Sequence, residues 1–93
     1  MMSSAAARHI LVNTEEECLK LKNEIEAGTK FEDSAKKHSK CPSGAEGGSL
    51  GEFNPGQMVP EFDKVVFNEE IGKVHGPIKT QFGYHLIEIT SRT

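Results

Sequence analysis

Three side chains able to do polar chemistry stand out in this chain of 93 residues: His9, His85 and Cys41. His9 lies within Arg8–Val12 and His85 within Tyr84–Thr90, two apolar, partly β-branched runs that read as strands. An imidazole inside a buried strand needs a hydrogen-bonding partner. If the first and last strands are neighbours, the two rings could face each other and share one bond. Only one would then carry a proton, because two adjacent buried cations are costly. Taken singly, each histidine also reads as a satisfied core residue. Cys41 precedes Pro42 in a turn, where a thiol can be polar or nucleophilic. Cys18, on an apolar helical face, reads as core.

Other chemistries find little support. His9, His38, His75 and His85 show no i, i+4 pair and no Cys or carboxylate at ligand spacing, so no metal site is expected. Gly47-Gly48 and Gly51 lack the Gly-Lys-Ser/Thr ending of a phosphate loop. The formal net charge of −3 argues against nucleic acid as a partner, since phosphate binding relies on excess Lys and Arg. Cys18 and Cys41 form neither a disulfide framework nor a zinc pattern, and the N-terminus has no charged and apolar leader pattern. A cytoplasmic, monomeric protein is therefore expected.

The elements that must position these residues follow from patterning. Thr14 and Glu17 form a capping box, so a helix starts there, with Cys18, Leu21 and Ile25 facing inward and Gly28 ending it. Thr29 and Glu32 repeat the box ahead of a second helix, with Phe31, Ala35 and His38 on one face. Lys20, Lys22, Lys30, Lys36, Lys37 and Lys40 crowd these helices, as a solvated face or as a docking patch for an anionic membrane surface. Cys41 to Glu46 is a turn-rich link with room for one helical turn. Gly47 to Phe62 alternates turn residues with Leu50, Phe53, Met58 and Phe62, too apolar for a linker and suited to the wall of a pocket. Within it, Leu50–Phe53 is a short strand, and Pro60 opens a third helix. Val74–Thr80 is a strand that tolerates Pro77 only at an edge or a bulge. The order β, α, α, link, β, α, β, β gives a single α+β domain over residues 1–93, with helices covering a small sheet.

His9-Ile10-Leu11-Val12, Cys41, the run Gly47 to Phe53, Gly56 to Phe62 and Gly76 to His85 follow one another at spacings that resemble the signature blocks of parvulin-type peptidyl-prolyl cis/trans isomerases. The resemblance runs from about Arg8 to Ile89 and is nearest to the small single-domain bacterial and archaeal parvulins. It implies a four-stranded antiparallel sheet surrounded by about four helices, the FKBP-like superfold. It also implies isomerisation of X-Pro bonds in proteins, in aid of folding and without a cofactor. Carried over by residue, it implies His9, Cys41, Thr80 and His85 as catalytic groups and Leu50, Met58, Phe62 and Phe82 as the proline pocket, with Gln57 beside it. Phe82 falls where some relatives carry a small polar residue, which suggests a more apolar rim.

Two rivals remain at this level. A covalent thiol hydrolase would use Cys41 but needs an oxyanion hole, for which the sequence gives no signal. A non-catalytic, chaperone-like module would only hold extended or unfolded chains. Specificity is expected to be independent of phosphate: the turn Asn13-Thr14 is short, and Glu15, Glu16 and Glu17 follow where phosphate-directed relatives carry Lys and Arg. An uncharged residue before proline is expected to be preferred over phosphoserine.

Overall fold

The computed structural model describes residues 4–93; Met1, Met2 and Ser3, part of the segment considered for a leader, lie outside the described residues. Eight elements follow in order: β1 (Ala5–Val12), α1 (Glu15–Glu26), α2 (Phe31–His38), a 3₁₀ turn (Pro42–Glu46), β2 (Ser49–Phe53), α3 (Pro60–Asn68), β3 (Val74–Thr80) and β4 (Gly83–Arg92). The strands form one antiparallel sheet in the order β2-β1-β4-β3. The first and last strands are thus central neighbours, as the two-histidine argument required.

Alternation along β1 and β4 divides the core into two layers. On one face Ala5, Ala7, Ile87 and Ile89 pack with Phe53, Phe62 and Val66, under α3. On the other, Ile10, Val12 and Leu86 pack with Cys18, Leu21, Phe31 and Ala35, under α1 and α2. Both cysteines are free, and burial pushes the Cys18 thiol up to about 11.

The helix signals are read with mixed success. Thr14 caps α1 as expected, its hydroxyl accepting from Glu17 N–H at 3.2 Å, and Gly28 follows the last turn at φ +126°. The second capping box does not form. Lys30, not Thr29, occupies the cap position of α2, and no side chain bonds the free N–H groups there. Thr29 N–H is instead spent on the Glu24 carbonyl at 3.0 Å, which closes the tight link between the helices. The buried face of α2 is Phe31, Ser34 and Ala35, with His38 only half-buried.

Pro77 meets both of its conditions, since β3 is an edge strand and its pairing with β4 shifts between His75 and Ile78. Arg92, at the end of β4, donates from Nη1 to the Val66 and Glu69 carbonyls at 2.8 and 2.7 Å. It thereby closes the C-terminus of α3.

Candidate active site

The site lies on the α3 face of the sheet. In the β1–β4 register His9 stands opposite Ile87 and Leu11 opposite His85, so the histidines are diagonal neighbours on one face. Their Nδ1 atoms are 3.1 Å apart, with ring planes inclined by only 17°. Phe62, from α3, sets its ring nearly perpendicular to both, with centroids 5.7 Å from His9 and 6.1 Å from His85. An aromatic edge on each imidazole excludes water and fixes the rings.

Backbone geometry holds His9 in place. Its N–H donates to the Gly48 carbonyl at 2.9 Å, and Gly48 adopts φ +85°. A Cβ at Gly48 would strike the His9 carbonyl, so only glycine lets the link approach β1 so closely. The 3₁₀ turn packs against α2 and leads from Cys41 to this crossing, which brings Ser43 over His9.

The polar groups form one continuous chain. Phe82 N–H donates to Thr80 Oγ1 at 3.2 Å, and Thr80 Oγ1 lies 2.7 Å from His85 Nε2. Beyond the histidine pair, His9 Nε2 lies 3.1 Å from Ser43 Oγ, which donates to Cys41 Sγ at 3.3 Å. The ends assign the protons between them. Ser43 spends its only proton on sulfur, so it accepts from His9 Nε2–H. His9 Nδ1 is then a lone pair that accepts from His85 Nδ1–H. His85 Nε2 accepts in turn from the Thr80 hydroxyl. Every proton in the chain has one acceptor, and both imidazoles are neutral. Protonating His9 at Nδ1 would set two donors against each other. Burial, together with the charge of a protonated His85, lowers His9 to about 4. Burial also lowers His85, against a smaller upward pull from Glu61.

Above this chain opens a cleft of about 360 Å³. Leu50, Met58, Val59, Phe62 and Phe82 line it together with His9, His85, Cys41, Pro42, Leu11 and Lys40. Seven of the nine residues expected at the site line this cleft, and Thr80 joins them through its bond to His85. Thr80 is buried behind His85 rather than exposed to the cleft. Phe82 stands at the rim with 61% of its surface exposed.

Gln57 is the exception. It is exposed and does not line the cleft, and its side-chain carbonyl accepts from Asn54 N–H at 2.6 Å. It fastens the Asn54–Gln57 turn that presents Met58. Glu15, Glu16 and Glu17 are not in the wall either, because α1 covers the opposite face of the sheet. The charged side chain that does line the cleft is Lys40. Sequence patterning missed Ser43 and Lys40 as site residues; the only available signal was their position beside Cys41. Among the described residues, no group of three or more His, Cys, Asp or Glu is placed to hold a metal ion.

The family model of the rotamase type, the PPIC-type PPIase domain, matches residues 4–91. The chain belongs to the PPIC-type peptidyl-prolyl isomerase family. It is 40% identical over 87 residues to the foldase protein PrsA of Geobacillus kaustophilus, which covers 92% of this chain and 31% of that protein. The crystal structure of PrsA from Bacillus anthracis superposes with a TM-score of 0.95 at 35% identity, covering 99% of this chain and 43% of that one. NmPin, the parvulin of Nitrosopumilus maritimus, superposes with a TM-score of 0.87 at 35% identity, covering 98% and 99% of the two chains. The chain thus spans about a third of the curated foldase it matches, and nearly all of a small parvulin. This is the family that the sequence blocks resemble, and the sheet with its surrounding helices is the fold expected of it.

Proposed function

We propose that this domain is a peptidyl-prolyl cis/trans isomerase that acts on X-Pro bonds of unfolded or flexible protein segments and so assists folding. The observation that carries the reading is an apolar cleft whose floor is a neutral, fully hydrogen-bonded histidine pair. Leu50, Met58 and Phe62 would take the proline ring, while His9, His85 and Cys41 would face the amide.

The chemistry asks for little else. Rotation about the X-Pro bond is opposed by amide resonance, with a barrier of about 18–20 kcal/mol. In the twisted state the nitrogen loses conjugation and the carbonyl becomes less polar, so a cleft poor in water favours that state over the planar one. Each ~1.4 kcal/mol of such preference is tenfold in rate. No proton is transferred, which agrees with two histidines held neutral. The fixed dipoles of the chain would tune the field at the carbonyl and nitrogen.

Phosphate-independent selection fits a two-residue β1–α1 turn without Lys or Arg. Two free thiols, one in the core and one in the cleft, support a reducing compartment such as the cytoplasm, with the domain acting as a monomer. Docking of α1 and α2 on an anionic membrane is less well supported, since Lys22 is already spent on the Gly76 carbonyl at 2.8 Å.

An isomerisation assay on proline peptides tests the reading. Acceleration over the uncatalysed exchange is expected. Peptide binding without acceleration would favour the chaperone-like binding module instead.

A further inference from the structure

The link that carries Met58 and Val59 into the cleft wall has little packing of its own. Pro55, Gly56 and Gln57 are exposed, and Met58 and Val59 are only half-buried. Gly51 and Gly56 adopt φ +69° and +88°, yet a Cβ at either would meet no atom within 4 Å, so these glycines serve conformation and not close approach. What fixes the link is hydrogen bonding. Gln57 N–H donates to the Asn54 carbonyl at 3.3 Å, and the Gln57 side-chain carbonyl accepts from Asn54 N–H at 2.6 Å, which closes the turn on itself. Its anchors to α3 both run through Asp63. Asp63 N–H donates to the Val59 carbonyl at 2.9 Å, the first bond of the helix, and Asp63 Oδ1 accepts from Gly56 N–H at 3.1 Å. Val59, at the cap position, offers α3 no side-chain bond, yet the Asp63 carboxylate in the first turn is turned back to the loop. Met58 and Val59 thus lie inside a ring closed between Gly56 and Asp63.

We propose that Asp63 is a positioning residue for the substrate cleft: its bond from Gly56 N–H, with the Asn54–Gln57 closure, holds the Met58 and Val59 side chains where a proline ring would meet them. The proposal rests on the isomerase reading of that wall. Asp63 does not line the cleft, so it acts through the loop and not on the peptide. Without the bond the loop samples positions in which the wall is open, and a substrate must select the closed one. Apparent affinity then falls with the fraction of closed molecules, while turnover of bound peptide is kept. Loss of one exposed hydrogen bond to a carboxylate corresponds to about a three- to tenfold rise in KM.

For one proline peptide, kcat, KM and the Kd from fluorescence anisotropy would be measured with the wild type, Asp63→Ala and Asp63→Asn. The asparagine lacks the charge but retains Oδ1 as an acceptor, so it separates the Gly56 bond from any effect of a carboxylate on the helix. Asp63→Ala is expected to raise KM and Kd about three- to tenfold with kcat within about twofold of the wild type, and Asp63→Asn to recover most of the affinity. The Met58 methyl resonance of the free protein should move in Asp63→Ala and return in Asp63→Asn, while the Leu86 methyls in the other core layer stay where they are. Should Asp63→Ala fail to fold, Gln57→Ala against Gln57→Glu, which keeps the accepting oxygen, makes the same comparison on the other closure. Equal affinity in the wild type and Asp63→Ala overturns the proposal, as does an Asp63→Asn no better than Asp63→Ala. A fall in kcat alone, with KM and the Met58 resonance unmoved, also overturns it and leaves the isomerase reading intact. If no peptide is turned over but Kd and the Met58 resonance follow the expected order, the positioning role stands and the isomerase reading falls.

Discussion

His9 Nδ1 and His85 Nδ1 meet at 3.1 Å in the interior, a bond that requires one of the two nitrogens to be unprotonated. Burial and the neighbouring ring lower His9 to about 4, against an ordinary value near 6.5. The unfolded chain therefore binds the proton first. The stability conferred by neutral His9 is complete above pH 6.5 and is lost as pH falls from there toward 4, by on the order of 3 kcal/mol. Burial of His85 acts in the same direction. Urea titrations between pH 4 and 7.5 should show this decline, and His9→Gln should flatten it. Activity, in contrast, should vary little from pH 6 to 8. A steep bell near neutrality, with limbs removed by His9→Gln or His85→Gln, would show that the pair works as acid and base.

Ser43 links that pair to Cys41, accepting from His9 and donating to sulfur. Ser43→Ala should leave the His9 Nε2–H without its partner and cost about 1–3 kcal/mol of stability. Ser43→Thr, which retains the hydroxyl, should recover much of it. Thermal unfolding of the two variants decides the matter, since equal losses would mean that the hydroxyl is not what the site requires. Nitrogen-15 spectra of the imidazoles offer a second readout: the wild type should show His9 protonated at Nε2 and His85 at Nδ1, and Ser43→Ala should mix the tautomers.

The cleft wall should matter more to turnover than the thiol does. Met58→Ala and Phe62→Ala each remove apolar surface from the proposed proline site, whereas Cys41→Ser retains a small polar group in the same place. Activity is expected to fall further in the first two than in the third. Phe62 is buried and touches both histidines and Phe53, so its loss should also cost about 3–5 kcal/mol. Circular dichroism must show folded protein before rates are compared. A folded Phe62→Ala with full activity would remove the ring from the site.

Much of this architecture was legible because local signals agreed with the tertiary fold. Apolar, partly β-branched runs placed His9 and His85 in strands, Thr14 marked the start of α1, and Pro77 restricted β3 to an edge or a bulge. Where the reading failed, the deciding partner lay at a distance or the local pattern had two outcomes. Thr29-Lys30-Phe31-Glu32 satisfies a capping pattern, but the short connection from α1 claims the Thr29 amide first. Gln57 sits next to Met58 in sequence yet turns away to bind Asn54. Ser43 meets His9 across 34 residues, a contact made only when the Gly48 crossing brings the 3₁₀ turn over β1. Glu15 to Glu17 follow β1 directly, but their helix covers the far face of the sheet.

The absence of those carboxylates from the cleft changes the expected response to phosphate. A phosphate adds a charge of about −1.5 to −2, and strong recognition takes several paired donors, commonly from Arg. Here the cleft offers one lysine, and the Asn13-Thr14 turn adds no base. A single exposed ammonium gives at most a weak contact. Phosphorylation of a Ser-Pro peptide should therefore raise kcat/KM by less than about tenfold, and the phosphopeptide should remain comparable with its glutamate counterpart. Peptides carrying Leu, Ser, Glu or phosphoserine before proline, measured at two ionic strengths, provide the comparison. A hundredfold advantage of phosphoserine over serine, persisting at high salt, would require a phosphate site that Lys40 alone cannot make, and the phosphate-independent reading would be abandoned.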